Sequence, residues 1–162
     1  YKRQALEALP AVERASIRCR LPNRIEIRVI ERQPIAIWQN QGIQYWIDQG
    51  GVLFPLLAAL DEPVVIVELD DQVRQPGGQA DRVALQTALE IRRWLPAAHV
   101  FGYSALEGLS FDLPDGQRVL VPANADVEKK VASLIATQDY LKAKGLRPQV
   151  IDLRYDGRAF WR

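Results

Sequence analysis

Alternation of apolar and polar residues early in the chain constrains its fold more than any other sequence feature. Two such alternations flank a short turn at Pro22-Asn23, and their apolar members are Ala15, Ile17, Cys19, Ile25, Ile27 and Val29. A period of two places each apolar set on one face of a strand, with the charged residues on the other face. We therefore predict an antiparallel hairpin whose outward charges pair across the two strands.

The flanking residues indicate how this hairpin is connected. Residues 1–9 have the spacing of the last turns of an amphipathic helix, which Pro10 ends. Gln33-Pro34 interrupts the second strand, because proline is tolerated only at a strand edge or bend. A further strand pair follows and ends at the turn 48–51. We place a domain boundary near Pro34 to Gln39 and predict that the short apolar connector holds both parts as one rigid, curved unit.

The rest of the chain predicts a sheet with two helices on one face. The apolar run within Pro63 to Asp71 is nearly continuous, as in a strand covered on both faces. Other predicted elements are a helix over 81–95 capped by Asp81, a hairpin turn at 114–117, a helix over 126–144 ended by Gly145, and strands over 149–155 and 158–162. Strands mostly follow strands, so the fold class is α+β with a mostly antiparallel sheet.

Composition excludes several function classes. The chain has 162 residues, 48% hydrophobic and 25% charged, with a net charge of +1, which is typical of a folded domain without a nucleic-acid surface. One cysteine excludes an intrachain disulfide. No apolar run is long enough to span a membrane. The chain lacks methionine and begins at Tyr1, so we interpret it as part of a longer protein. Whether that longer protein has a membrane anchor is not tested by this sequence.

Candidate catalytic or metal-binding residues are few and separated. His99 and Cys19 are single and distant, and we expect His99 to be an ordinary surface residue and Cys19 to be a packed small side chain. The adjacent acids Asp61-Glu62 and Asp70-Asp71 would face opposite sides of a strand, which does not favour an acid/base pair. We predict a docking protein rather than an enzyme, with no cofactor and no metal.

Several short motifs occur in an order that resembles the FtsQ and DivIB family of bacterial cell-division proteins. They are Leu9-Pro10-Ala11-Val12, Leu21-Pro22-Asn23-Arg24, Glu31-Arg32-Gln33-Pro34, Ile47-Asp48 with the following glycines, Leu113-Pro114-Asp115-Gly116 and Ile151-Asp152-Leu153-Arg154-Tyr155. The resemblance implies a partial POTRA domain over residues 1–36, lacking its first strand and helix, and a β-domain over 37–162.

The resemblance also implies a function and a location. Members of the family are scaffolds of the divisome that bind the small coiled-coil proteins FtsB (DivIC) and FtsL. They cross the plasma membrane once, with most of the chain outside the cytoplasm at the division septum. Their POTRA part is linked to recruitment, and the outward or terminal charges Glu26, Arg28, Glu31 and Arg32 are candidate contacts there. Late strands of their β-domain bind FtsB.

A strand near the C-terminus that ends the sheet would leave main-chain groups unpaired for a partner strand. We predict partner contacts by Asp152, Leu153, Arg154, Tyr155, Phe160 and Trp161, of which Arg154 and Tyr155 match family positions that contact FtsB. Two simpler interpretations remain: a cross-strand salt bridge for Arg154 and a frayed terminus for Trp161. A POTRA module of a secretion or outer-membrane assembly system is the alternative function, and a carboxylate-based hydrolase is the third class.

Overall fold

The computed structural model describes residues 2–162, so Tyr1, placed in the predicted first helix, lies outside the described residues. Helix α1 (Lys2–Glu7) precedes strands β1 (Val12–Arg20) and β2 (Arg24–Glu31), which form a separate two-stranded antiparallel sheet. Ala15 is opposite Val29 and Ile17 is opposite Ile27, so the apolar alternation of both strands shares one face. The predicted hairpin is confirmed.

Burial in this hairpin differs from the expectation. Helix α1 packs against β1 and buries Ala15, whereas Ile25 and Ile27 at the far end are more than half exposed. Cys19 is exposed as well, so its prediction as a packed side chain is wrong, because no element of the described chain covers that end of the face. Glu26 binds Arg28 on its own strand at 2.7 Å rather than pairing across the hairpin.

The remaining strands form one nine-stranded sheet, and two helices pack on it. In chain order the elements are β3 (Ala36–Asn40), β4 (Ile43–Ile47), β5 (Leu53–Pro55), β6 (Val65–Glu68), α2 (Arg82–Trp94), β7 (Val100–Ser104), β8 (Gly108–Asp112), β9 (Arg118–Val121), α3 (Val127–Lys144), β10 (Val150–Asp152) and β11 (Phe160–Trp161). The strand order in the sheet is β11-β10-β9-β8-β7-β6-β3-β4-β5. Neighbours are parallel at β3–β6, β6–β7 and β9–β10 and antiparallel elsewhere. The α+β class is confirmed.

Both helices lie on the same face of this sheet. Helix α2 connects the parallel pair β6 and β7, and α3 connects the parallel pair β9 and β10, as a crossover between parallel strands requires. Asp81 caps α2 by accepting from the backbone N–H groups of Val83 and Ala84, and Gly145 ends α3 with φ of 67°. The two helices and the sheet share one buried apolar cluster. Within residues 2–162, no helix is both long and apolar enough to cross a membrane.

The opposite face of the sheet, called the open face below, carries no helix. Ile66 of β6 is fully buried under the helices, whereas Val65 and Val67 point to the open face and are only partly buried. The prediction that this strand is covered on both faces is therefore wrong. The apolar run is nearly continuous because open-face side chains of this strand, such as Val67, lie beside other apolar groups. Those near Val67 are Leu69, Val100 and Gly102.

A buried ion pair fixes the loop that leaves β6. Glu68 accepts hydrogen bonds from Arg74 (Nη2–Oε1 2.6 Å), from Trp38 (Nε1–Oε2 2.9 Å) and from Asn40 (Nδ2–Oε2 3.1 Å). Arg74 also donates to the carbonyl of Gln79, and its pKa is raised by the hydrogen bonds to Glu68. Residues 69–80, called the strap, are thereby held against one end of the sheet.

Candidate docking surface

The C-terminal border of the nine-stranded sheet is formed by β11 and not by the strand that contains Asp152. Strand β10 lies between β9, which it joins in parallel, and β11, which pairs with it in antiparallel register. Strand β10 ends at Asp152, so Arg154 and Tyr155 follow it rather than belong to it. The prediction of an exposed ladder on the 149–155 strand is corrected: the chain itself covers that side, and the edge moves to Phe160 and Trp161.

The outer side of β11 presents unpaired main-chain groups. Val150 and Arg162 exchange two hydrogen bonds, 3.1 and 3.2 Å long, so they form a hydrogen-bonded pair. Pairs alternate in an antiparallel ladder, and the next pair, Ile151 with Trp161, is therefore the non-bonded one. The N–H and C=O of Trp161 consequently point away from β10. No strand within residues 2–162 pairs with this outer side.

The opposite border of the same sheet is closed by the strap. Gly77 donates to the carbonyl of Leu53 (2.7 Å), and Leu53 donates to the carbonyl of Gly78 (2.9 Å). Pro55 at the end of β5 has no N–H to offer. Of the two borders of this sheet in the described chain, only that of β11 can accept another strand.

Two aromatic pairs flank the β11 edge, one on each face of the sheet. Phe160 contacts Tyr155 edge to face, with ring centroids 5.6 Å apart, and it lies opposite Asp152 on the open face. Trp161 contacts Tyr140 of α3 at 5.7 Å on the helix-covered face. Tyr155, Phe160 and Trp161 are all exposed. They combine apolar area with a rigid shape, as in the residues that dominate protein interfaces.

Asp152 and Arg154 form a close intramolecular pair. The Asp152 carboxylate accepts from the Arg154 backbone N–H (3.0 Å), from Nε (3.0 Å) and from Nη2 (2.7 Å). The Arg154 guanidinium lowers the pKa of Asp152, so the carboxylate stays ionised to a lower pH than an ordinary aspartate. Nη1 lies 3.8 Å from Glu107. Asp152 and Arg154 are thus paired with each other, and the salt bridge of Arg154 is local rather than cross-strand.

Leu153 does not contribute to this surface. Its side chain is 1% exposed and packs between the sheet and the helices, on the same face as Ile151. Its inclusion among the predicted partner contacts is therefore corrected. Alternation along a strand puts Ile151 and Leu153 on the same face, so the burial of one goes with the burial of the other.

The four candidate residues on and beside the hairpin differ in their interactions. Glu26 and Arg28 pair with each other, and Glu31 is exposed at the end of β2. Arg32 instead joins the two sheets: Nε donates to the carbonyl of Pro10 at 2.9 Å, and Nη1 binds the Asp48 carboxylate at 2.5 Å. Both side chains are mostly buried, so Arg32 is a structural bridge rather than an available contact.

A substitution of Arg32 tests the prediction that the hairpin and the nine-stranded sheet form one rigid unit. Arg32→Ala is expected to release the hairpin, so that its amides report a shorter rotational correlation time than those of the nine-stranded sheet. The reason is that the substitution removes the bond to Asp48, which crosses to the nine-stranded sheet, and the bond to Pro10 that holds the guanidinium on the hairpin side. Relaxation of ¹⁵N amides measures this, with Arg28→Ala on the same hairpin as control. Equal correlation times in Arg32→Ala, or unequal ones in the unmodified chain, would contradict the role.

Two residues at this surface were not predicted from the sequence. Tyr140 supports Trp161 from α3, and Glu107 reaches Arg154 from the turn between β7 and β8. Both contacts join residues at least 20 positions apart, and no local pattern marks them. Among residues 2–162, no three His, Cys, Asp or Glu side chains converge as a metal site would require.

Comparison with known proteins identifies the family of the chain. The family model described as cell division protein FtsQ/DivIB, C-terminal, matches residues 36–154, and that of the FtsQ-type POTRA domain matches residues 2–32. The cell division protein FtsQ of Chloroflexus aurantiacus is 29% identical over 153 residues, which cover 90% of this chain and 54% of that protein. FtsQ of Allochromatium vinosum is 30% identical over 162 residues, covering 94% and 59%.

A third relative gives the same result. FtsQ of Geotalea daltonii is 27% identical over 161 residues, which cover 92% of this chain and 58% of that protein. The chain thus spans a little over half the length of each of these three relatives. Since one family model matches well over half of the chain, the conclusion is direct: the chain belongs to the FtsQ/DivIB family of cell-division proteins.

Proposed function

We propose that this chain is the part of a non-enzymatic divisome scaffold that binds FtsB (DivIC), and FtsL with it, through a strand added to β11. The proposal rests on one observation: the main-chain groups are paired at one border of the nine-stranded sheet and unpaired at the other. The strap closes the β5 border, whereas the N–H and C=O of Trp161 have no partner strand within residues 2–162. Main-chain pairing at such an edge supplies affinity, and alternate side chains supply specificity.

The side chains around β11 suit a partner that covers more than the edge. Phe160 and Tyr155 lie beside the edge on the open face. Arg154 extends from the end of β10 toward Glu107 of the β7–β8 turn, so it lies farther from the border than β11. A partner that contacts both Arg154 and the outer side of β11 therefore pairs with β11 and continues across the open face.

The proposal includes the location of the whole protein. Family membership supports a single-pass protein of the plasma membrane at the division septum, with the two sheets outside the cytoplasm. The matched relatives are longer than this chain, which leaves room in them for an anchor. A fusion of the full-length protein to an enzyme active only outside the cytoplasm tests the orientation, and activity only with a cytoplasmic reporter would overturn it.

Arg154→Ala and Tyr155→Ala test the docking surface. Each is expected to weaken binding of a soluble FtsB segment by more than about 1 kcal/mol while the melting temperature stays near that of the unmodified chain. Tyr155 is 58% exposed, so its truncation removes little packing from the folded chain. Calorimetric titration and thermal denaturation measure the two effects. Arg118→Ala, an exposed arginine of β9 paired with Asp112, serves as control. Unchanged affinity in both variants would place the site elsewhere.

A further inference from the structure

The Asp152 carboxylate accepts hydrogen bonds from one residue of the described chain, Arg154. Both of its oxygens accept from Arg154, and the three donors are one backbone N–H and two guanidinium nitrogens. The bond to the backbone N–H two residues later closes a turn of the type that aspartate favours, directly where β10 ends. Asp152 thus sets both the direction in which the chain leaves the sheet and the orientation of the Arg154 side chain.

The pair leaves part of the guanidinium available. Nε and Nη2 are held by Asp152, whereas the nearest acid to Nη1 is Glu107 at 3.8 Å, beyond a direct hydrogen bond. The Asp152 side chain is 17% exposed and that of Arg154 is 27% exposed. Asp152 therefore offers a partner little surface of its own, while Arg154 retains the Nη1 donors that Asp152 does not bind.

We propose that Asp152 is a positioning residue for docking, which holds Arg154 in the orientation that the partner recognises. This inference rests on the docking surface proposed above. A free arginine loses side-chain freedom when it binds, and a side chain fixed in advance avoids that cost. The opposing effect is that Asp152 already neutralises Arg154 and competes with an acidic group of the partner. The two effects predict opposite signs for the same substitution.

Asp152→Asn decides between them because it keeps the shape and removes the charge that binds the guanidinium. We expect affinity for the soluble FtsB segment to fall by about three- to tenfold, the amount expected when one long side chain must be ordered on binding. Increased or unchanged affinity would overturn the positioning role. Asp112→Asn is the matched control, since Asp112 also pairs with an arginine on this sheet but lies away from β11.

A double-mutant cycle separates positioning from a structural effect. If Asp152 acts through Arg154, Asp152→Asn has no further effect on affinity in the Arg154→Ala background. If it only supports the fold, the loss is the same in both backgrounds, and the proposal is overturned. The proposed function fails in a different way: Arg154→Ala and Tyr155→Ala then leave affinity unchanged. A loss in Arg154→Ala without one in Asp152→Asn rejects the positioning role alone.

Discussion

Arg74→Ala is expected to lower the free energy of unfolding by about 3–5 kcal/mol, the usual cost of removing one partner of a buried ion pair. The Glu68 side chain is 1% exposed and that of Arg74 is 15% exposed. Without Arg74, the carboxylate keeps the donors of Trp38 and Asn40 but loses the one cation that pairs with it among residues 2–162. Two neutral hydrogen bonds do not compensate for a charge removed from water. Chemical denaturation monitored by tryptophan fluorescence measures the loss.

The same substitution at an exposed pair provides the comparison. Arg118 and Asp112 are about as close, at 2.9 Å, but their side chains are 58% and 56% exposed. Arg118→Ala is therefore expected to cost less than about 1 kcal/mol, as exposed ion pairs do. An equal, small loss in both variants would show that burial does not make the Glu68–Arg74 pair important.

Loss of Arg74 also has a local consequence that hydrogen exchange detects. Arg74 holds the strap through the carbonyl of Gln79, and the strap holds the β5 edge through Gly77 and Gly78. The Leu53 amide, which donates to Gly78, is expected to exchange faster in Arg74→Ala even under conditions where the domain stays folded. Unchanged protection of Leu53 would separate the ion pair from closure of this border.

Trp161→Pro is expected to reduce affinity for the FtsB segment by about 30-fold, roughly 2 kcal/mol. Proline removes the N–H that points away from β10, and its ring occupies the space that an added strand needs. The ladder to β10 is preserved, because Arg162 supplies one of its bonded pairs and Phe160 the next. Proline is compatible with an edge strand whose N–H faces solvent. Calorimetric titration measures the loss of affinity.

Trp161→Ala is the control for the lost indole. It removes the contact with Tyr140 but retains the outward N–H, so it isolates side-chain packing from main-chain pairing. Strand addition requires the proline variant to bind more weakly than the alanine variant. Equal losses would show that the partner contacts the ring alone, and the edge would then have no role in docking.

Local chemistry predicted much of the fold. The period of two defined the β1–β2 hairpin, aspartate at 81 and 126 began the two long helices, and Gly145 ended the second one in the left-handed region. Each feature depends on residues within a few positions of one another. Alternation likewise puts Ile151 and Leu153 on one face of the strand, and the structure shows that this face is buried.

The tertiary structure alone decided which groups are exposed. Strand β11 covers β10, the strap covers β5, and Arg32 joins the two sheets, so the available edge is the one at Trp161. The residues of each arrangement are separated by 8 to more than 20 positions, and their pairing depends on the path of the whole chain. The sequence by itself determined the elements and the family resemblance. Only packing determined which backbone and charged groups remain for a partner, because that depends on what the rest of the chain has already satisfied.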